Sequence, residues 1–166
     1  MNAREWITQL DLAPHPEGGF YRETYHANHW LHDELTLQTY DGKRRTATSI
    51  YFLLEGHDVS RFHRLKSDEL WYFHTGSALT VHVIDPKGTY QTHALGLSPA
   101  GKQAPQLCIP REHIFGATVD DPDGFALVSC MVSPGFDFAD FELFDRAVLL
   151  KMHPQHEQII NRLTKE

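Results

Sequence analysis

Residues 62–76 read FHRLKSDELWYFHTG, with His63 and Glu69 on either side of a Lys66-Ser67-Asp68 turn. The flanking stretches VSRFHRL and ELWYFH read as strands, and side chains alternate between the two faces of a strand. Glu69 therefore shares a face with Trp71 and Phe73, while Leu70, Tyr72 and His74 take the other. His63 goes with Arg61 and Leu65, and Phe62 and Arg64 point away. Joined as a hairpin, the two strands set His63 and Glu69 side by side on one face. A carboxyl and an imidazole placed so can act as acid and base, or supply two metal ligands. A pair that only fixes the register of the hairpin is the plainer reading of the spacing alone.

Outward from this stretch the pattern is strand after strand. ATSIYFLL, VSRFHRL, ELWYFH, ALTVHVI, TYQTHALGL, QLCIP, IFGATV and FALVSCMV are separated by Glu55-Gly56, Thr75-Gly76, Pro86-Lys87-Gly88, Pro99-Ala100-Gly101 and Asp121-Pro122-Asp123-Gly124. Turn residues at such regular spacing indicate an antiparallel sandwich or barrel. FYRETY adds an earlier strand after the helix-breaking APHPEGG. Trp6, Ile7 and Leu10 predict a short helix within 2–12, and Ile159, Ile160 and Leu163 behind Pro154 predict another within 154–163. HANHWLHDELTLQTYDGKRR reads as polar and irregular, with a turn at Asp41-Gly42. The expected class is all-β with short N-terminal and C-terminal helices, residues 1–166 forming a single domain.

The bulk properties narrow the partners. With 41% hydrophobic and 22% charged residues, the 166-residue chain has an ordinary globular balance. A net charge of −7 and scattered basic residues argue against nucleic-acid and anionic-membrane partners. No apolar run approaches the roughly 20 residues of a membrane span, and the charged N-terminus is unlike a signal peptide. The expected location is the cytoplasm. Cys108 and Cys130 stand alone in apolar runs and read as buried free thiols.

GHDVSRFHRLKSDELWYFHTG (56–76) resembles the first signature motif of the cupin superfamily, in which a glycine precedes His-x-His, then a glutamate, then a closing glycine. His63, Glu69 and Gly76 match it, and Leu65 stands where the second histidine belongs. PREHIF (110–115) resembles the second motif, with Glu112 in place of its glycine and Phe115 in place of its histidine. Together with HPEGGFYRETY (15–25), SIYFLL (49–54) and VSPGFDFADFEL (132–143), these stretches are similar to a bacterial and fungal family of single-domain cupins without an assigned function. The resemblance implies a jelly-roll barrel, or double-stranded β-helix, usually a homodimer, with an aromatic-lined pocket inside the barrel. It implies an overall shape like the sugar-nucleotide epimerase cupins, although shape does not transfer function.

The same resemblance bears on the chemistry. Two of the four usual metal-ligand positions hold Leu65 and Phe115. No cofactor is expected, and a divalent metal on His63 and Glu69 would need a third ligand from elsewhere. His63 and Glu69 are the catalytic candidates. Tyr21, Ser49, Tyr51 and Gln106 are ligand-binding candidates from segments that flank the pocket or its opposite wall in the family, and Trp71, Phe73 and Phe115 are candidates for stacking on a ligand. Arg22 and Glu23 fit a subunit bridge equally well. His26, His29 and His32 read as exposed loop residues, and His153 and His156 as capping or surface residues. PGFDFADFEL reads as a strand edge whose phenylalanines pack the barrel end and whose carboxylates bond turn amides.

Three functions remain open on these residues. One is a metal-independent acid–base enzyme, epimerase-, isomerase- or lyase-like, acting on a sugar-like or oxoacid substrate. The others are a non-catalytic module that binds a small-molecule ligand and a metal-dependent enzyme using His63 and Glu69.

Overall fold

Along Thr48–Glu55 (β5) the side chains divide strictly by parity. Phe52 and Leu54 enter one buried cluster, while Leu53 between them enters another on the opposite face. The same division recurs in Phe125–Ser133 (β12), where Ala126, Val128 and Cys130 face inward and Leu127 outward. A strand buried on both faces needs layers on both sides, and the chain supplies them. The computed structural model describes residues 1–165. In chain order, the first part comprises α1 (Ala3–Gln9), β1 (Ala13–Pro14), β2 (Phe20–His26), β3 (Trp30–Leu31), α2 (Glu34–Tyr40), β4 (Arg44–Arg45) and β5. β6 (Val59–Arg64), β7 (Asp68–Gly76), β8 (Leu79–Ile84), β9 (Tyr90–Leu95), β10 (Gln106–Ile109), β11 (Ile114–Val119) and β12 follow. β13 (Glu142–Leu143), α3 (Arg146–Met152) and α4 (Glu157–Arg162) complete the order.

Two sheets face each other in a jelly-roll arrangement. One runs β1-β2-β5-β12-β7-β10 and the other β13-β6-β11-β8-β9, with antiparallel ladders throughout. Between them lie Phe52, Leu54, Trp71, Val128 and Cys130 from the first sheet and Val81, Val83, Phe115 and Ala117 from the second. α1 covers the outer face of the first sheet with Trp6, Ile7 and Leu10 over Leu53 and Leu127. α3 and α4 cover the outer face of the second, packing Leu149, Ile160 and Leu163 on Phe62, Ile84 and Ile114.

This topology corrects the hairpin expectation. β6 and β7 are consecutive in the chain but belong to different sheets, so His63 and Glu69 face each other's layer across the interior instead of pairing along a ladder. Asp68 is left at the turn to accept the Arg111 amide at 2.7 Å. The stretch read as irregular contains α2 and the small β3–β4 ribbon. Asp33 caps α2 through Thr36 N at 2.9 Å, and Asp41 ends it in the left-handed region at φ 54°. The helix escapes a hydrophobic-period search because it buries Thr36 and Tyr40 while Leu35 and Leu37 are exposed. Cys108 is exposed on the edge strand β10, contrary to the buried reading, and Cys130 is buried; both are free thiols.

The 134–141 segment also departs from expectation. Asp137 does bond a turn amide, Ala139 N at 2.8 Å, but Asp140 and Glu142 pair with Arg44 and Arg64. The Arg44–Asp140 pair is buried and bidentate, at 2.8 and 2.9 Å, and Arg44 also reaches the Tyr40 carbonyl at 2.6 Å. It pins the turn that carries Phe136 and Phe141 to α2 and β4. Removing one member of such a pair strands a buried charge. Asp140→Ala is therefore expected to lower stability by about 3–5 kcal/mol in urea unfolding. A loss below about 1 kcal/mol would show that the pair does not hold this segment.

Candidate functional site

The loop between β1 and β2 reads His15-Pro16-Glu17-Gly18-Gly19, and its shape is dictated by the two glycines. Gly18 and Gly19 adopt φ of +115° and +69°, where side chains are strained. A Cβ on Gly18 would strike the Val59 carbonyl, and one on Gly19 would lie 2.6 Å from the Leu53 carbonyl. The loop is thereby pressed against β5 and β6. Arg61 N holds the Glu17 carbonyl at 2.8 Å, Asp58 accepts the Gly19 amide at 2.9 Å, and the Arg61 guanidinium caps the Pro16 carbonyl. The result drives the Glu17 side chain inward, where it is 6% exposed.

Inside, Glu17 meets β6. Ser60 Oγ donates to Glu17 Oε1 at 2.7 Å, and His63 Nε2 stands 3.3 Å from Oε2. His63 Nδ1 lies 2.7 Å from the Arg61 carbonyl, which can only accept, so Nδ1 carries the proton and Nε2 of the neutral ring presents a lone pair. The Glu17 amide donates to His15 Nδ1 at 3.2 Å, which makes that nitrogen an acceptor as well. One proton therefore belongs in the Glu17–His63 gap. Burial raises the Glu17 carboxyl, against the opposing pull of His15, Ser60 and Arg61. Burial likewise holds His63 down at about 4 and lowers His15. All three shifts disfavour charge around this gap.

Glu69 supplies the second carboxyl from β7. It is 7% exposed, and its Oε2 has no hydrogen-bond partner among the described residues; neither does the Trp71 indole nitrogen. Burial, and then the neighbouring Glu17, push Glu69 up to about 8, against the smaller opposing pull of the nearby Cys130 thiol and Trp71 indole N–H. Glu17, His63 and Glu69 line one cavity of about 40 Å³, room for roughly two or three waters, together with His15, Tyr21, Phe52, Cys130, Phe136 and Phe141. No lysine or arginine lines it. The Cys130 thiol is driven well above its ordinary value by burial and the two carboxyls, so it contributes no thiolate.

The sequence candidates are thus divided. Glu69, His63 and Tyr21 are brought together at the cavity. Phe115 packs on His63, ring centroids 4.2 Å apart, and with Trp71 belongs to the core behind the cavity wall; Phe73 packs against that core. Ser49 and Tyr51 have the wrong parity: Ile50 and Phe52 of the same strand face the cavity, while Tyr51 lies outside against His74 and the α1 cluster. Gln106 is exposed on edge strand β10, opposite Tyr72. His74 faces outward and bonds Ser129 Oγ at 2.6 Å. Glu17 and His15, inside HPEGGF, lie in a loop, which has no strand parity to give their direction. An acid locked between a proline and a double glycine was the available signal.

A metal set of the usual cupin kind does not fit these residues. Leu65 lines the cavity with carbon and Phe115 covers His63, and among the described residues no group of three or more His, Cys, Asp or Glu is arranged to hold an ion. Nor is any helix among them long and apolar enough to cross a membrane.

Two facing antiparallel sheets, a glycine-pressed loop and an interior acid–imidazole cluster are features of a cupin. The chain belongs to the family described as Cupin superfamily (DUF985), whose model matches residues 4–144. It is similar to a protein of Shewanella oneidensis of known crystal structure, with 45% identity, a TM-score of 0.90 and coverage of 99% of this chain and 98% of that one. A hypothetical protein from Leishmania major is 39% identical with a TM-score of 0.90 over the full length of both chains. An uncharacterized protein of Saccharomyces cerevisiae is 25% identical over 147 residues, 82% of this chain and 72% of the relative. Bacillus subtilis oxalate decarboxylase, a protein with Mn(II) centres, shares the fold at 16% identity and a TM-score of 0.58, with 95% of this chain spanning 39% of that one.

The raised Glu69 predicts a pH signature. A carboxyl that titrates higher in the folded state stabilises the fold below its unfolded value, and that stability is lost as pH rises through the folded value. His63 acts oppositely, but only between about 4 and 6.5. From pH 6.5 to 8, Glu69 alone should lower stability by up to about 2 kcal/mol, and Glu69→Gln should flatten that fall in urea melts, the raised Glu17 carboxyl leaving a residue of it. Equal slopes in the two proteins would mean that Glu69 is not a buried, protonated acid.

Proposed function

We propose that the protein is a metal-independent acid–base enzyme that moves a proton on a small hydroxy-carbonyl molecule, as in epimerisation, isomerisation or a lyase step. The observation that carries this reading is Glu69 Oε2, buried, unpartnered and set in the cavity that also holds Glu17 and His63. A carboxyl near 8 is matched to proton exchange at neutral pH. In this mechanism Glu69 exchanges one proton with the substrate. The Glu17–His63 pair exchanges the second, with Glu17 touching the substrate and His63 Nε2 holding the proton that Glu17 releases. Tyr21 orients the reacting end. Of the two substrate classes, a sugar-like one suits the lining better than an oxoacid, because no cation faces the cavity to receive a carboxylate. The cavity as it stands admits only the reacting end of such a molecule.

The test is solvent-deuterium incorporation, followed by proton NMR, into glycolaldehyde, glyceraldehyde, dihydroxyacetone and pyruvate. The wild type is expected to exchange carbon-bound hydrogen above the buffer rate on a hydroxy-aldehyde or hydroxy-ketone. Glu69→Gln and Glu17→Gln should each fall by about 10²–10⁴-fold. Absence of exchange above buffer on every compound would refute the enzyme and leave a binding module.

A homodimer is proposed through the edge of the six-stranded sheet. β1 covers β2 only at Phe20 and Tyr21, residues 22–26 are exposed, and Tyr25 and Trp30 project from this region at 55% and 42% exposure. An open edge with exposed aromatics is suited to pairing with a second copy. Sedimentation equilibrium should return twice the chain mass, and Tyr25→Asp should shift it toward the monomer; a wild-type monomer at micromolar concentration would exclude this assembly.

A further inference from the structure

Two carboxyls share a cavity whose remaining walls are mostly aromatic and aliphatic, with His15, His63, Thr48 and Cys130 between them, and no lysine or arginine side chain lines it. Tyr21, Phe52, Phe136 and Phe141 surround the space that Glu17 and Glu69 border. His15 meets Tyr21 edge-on with centroids 4.5 Å apart, and Phe136 and Phe141 lie 6.1 Å apart, so the rings form one connected wall. Aromatic faces attract cations and are indifferent to neutral groups of the same size. A buried acid with an unpartnered oxygen is incomplete without a donor, and Glu69 Oε2 is such an oxygen. An anion would meet two acids and no lysine or arginine, whereas an ammonium group would meet a carboxyl able to ionise and aromatic side chains able to attract it.

We propose that the cavity recognises a small protonated amine, so that the natural substrate or ligand carries an ammonium head group seated between Glu69 and the Tyr21–Phe52–Phe136–Phe141 wall. This inference rests on the acid–base reading of the same cavity and narrows its substrate to an amine-bearing molecule. The volume of about 40 Å³ suits a head of roughly two or three non-hydrogen atoms. Entry of the cation makes Glu69 give up its proton. The titratable groups lining the cavity with Glu69 are His15 and Glu17 from the β1–β2 loop, Tyr21 from β2, His63 from β6 and Cys130 from β12. Burial disfavours the cationic form of both histidines, so neither competes as a counter-cation.

The probe is methylammonium chloride on the wild-type protein with 13C-labelled glutamate carboxyls, at constant ionic strength against sodium chloride, methanol and sodium acetate. Methylammonium is expected to lower the midpoint of the high-titrating Glu69 carboxyl by about one unit, a tenfold preference for the ionised form. Methanol, acetate and sodium should leave it in place. Glu69→Gln assigns the resonance, and Glu17→Gln, should the first variant fail to fold, assigns the remaining high-titrating group. A midpoint unmoved by methylammonium, or moved equally by methanol or sodium, overturns the proposal, and a midpoint raised by acetate overturns it in favour of an anion. The deuterium-exchange assay separates the two readings. Exchange on a neutral hydroxy-aldehyde without any methylammonium effect leaves the enzyme and removes the amine. A methylammonium effect without exchange leaves an amine-binding site and removes the enzyme.

Discussion

Glu17 joins the two sheets at one end of the barrel. Its backbone belongs to the loop that feeds the six-stranded sheet, and its carboxyl is bonded to Ser60 and set against His63 of the five-stranded sheet. A carboxyl buried this way is tolerable only when neutral or fully solvated by protein donors. Ser60 satisfies one oxygen, and the proton shared with His63 satisfies the other. The geometry of His63 follows from this, since its Nδ1 is committed to the Arg61 carbonyl, and the Arg61 amide in turn holds the Glu17 carbonyl. Two glycines make the contact close enough, and a side chain at Gly18 would force the loop off the Val59 carbonyl. The cavity's shape and its proton count therefore have one origin.

Glu69 is related to Glu17 by repulsion. Glu17 makes Glu69 harder to ionise, after burial has already disfavoured charge on both. Two acids that cannot both ionise are the usual arrangement for splitting acid and base roles between like residues. Here the asymmetry is supplied by surroundings: Glu17 is bonded to Ser60 and set against His63, whereas Glu69 has only the weaker influence of the Cys130 thiol and Trp71 indole.

What the sequence made legible follows from which signals are local. Strand parity is local, and it put Glu69 on the face of Trp71 and opposite His74, as the structure has them. Parity within one strand does not say which face is the interior, so it could not warn that Ser49 and Tyr51 lie on the face opposite Ile50 and Phe52. The partner of a strand is not local either. β6 and β7 looked like a hairpin because three turn residues separate them, yet the jelly-roll path sends them to opposite layers. α2 was hidden for a different reason, since its buried face is Thr36 and Tyr40, anchored by hydrogen bonds of Asp33 and Ser67 instead of apolar periodicity. The cluster's missing half lay in a loop, where only glycine and proline chemistry hints at a direction.

Leu65 and Phe115 set the surroundings of the interior acids. Leu65 leaves carbon at the cavity wall, and Phe115 packs against the His63 ring and closes the approach on that side. With those two positions apolar, the dielectric around the carboxyls falls, and no lysine or arginine side chain lines the cavity. Low dielectric without a counter-charge is the condition that drives Glu69 to about 8 and His63 to about 4. The Trp71 indole N–H and the Cys130 thiol lie close enough to draw Glu69 down slightly, and burial outweighs both. A buried polar group left short of a partner costs about 1–3 kcal/mol, and a leucine or methionine at 69 would avoid that cost.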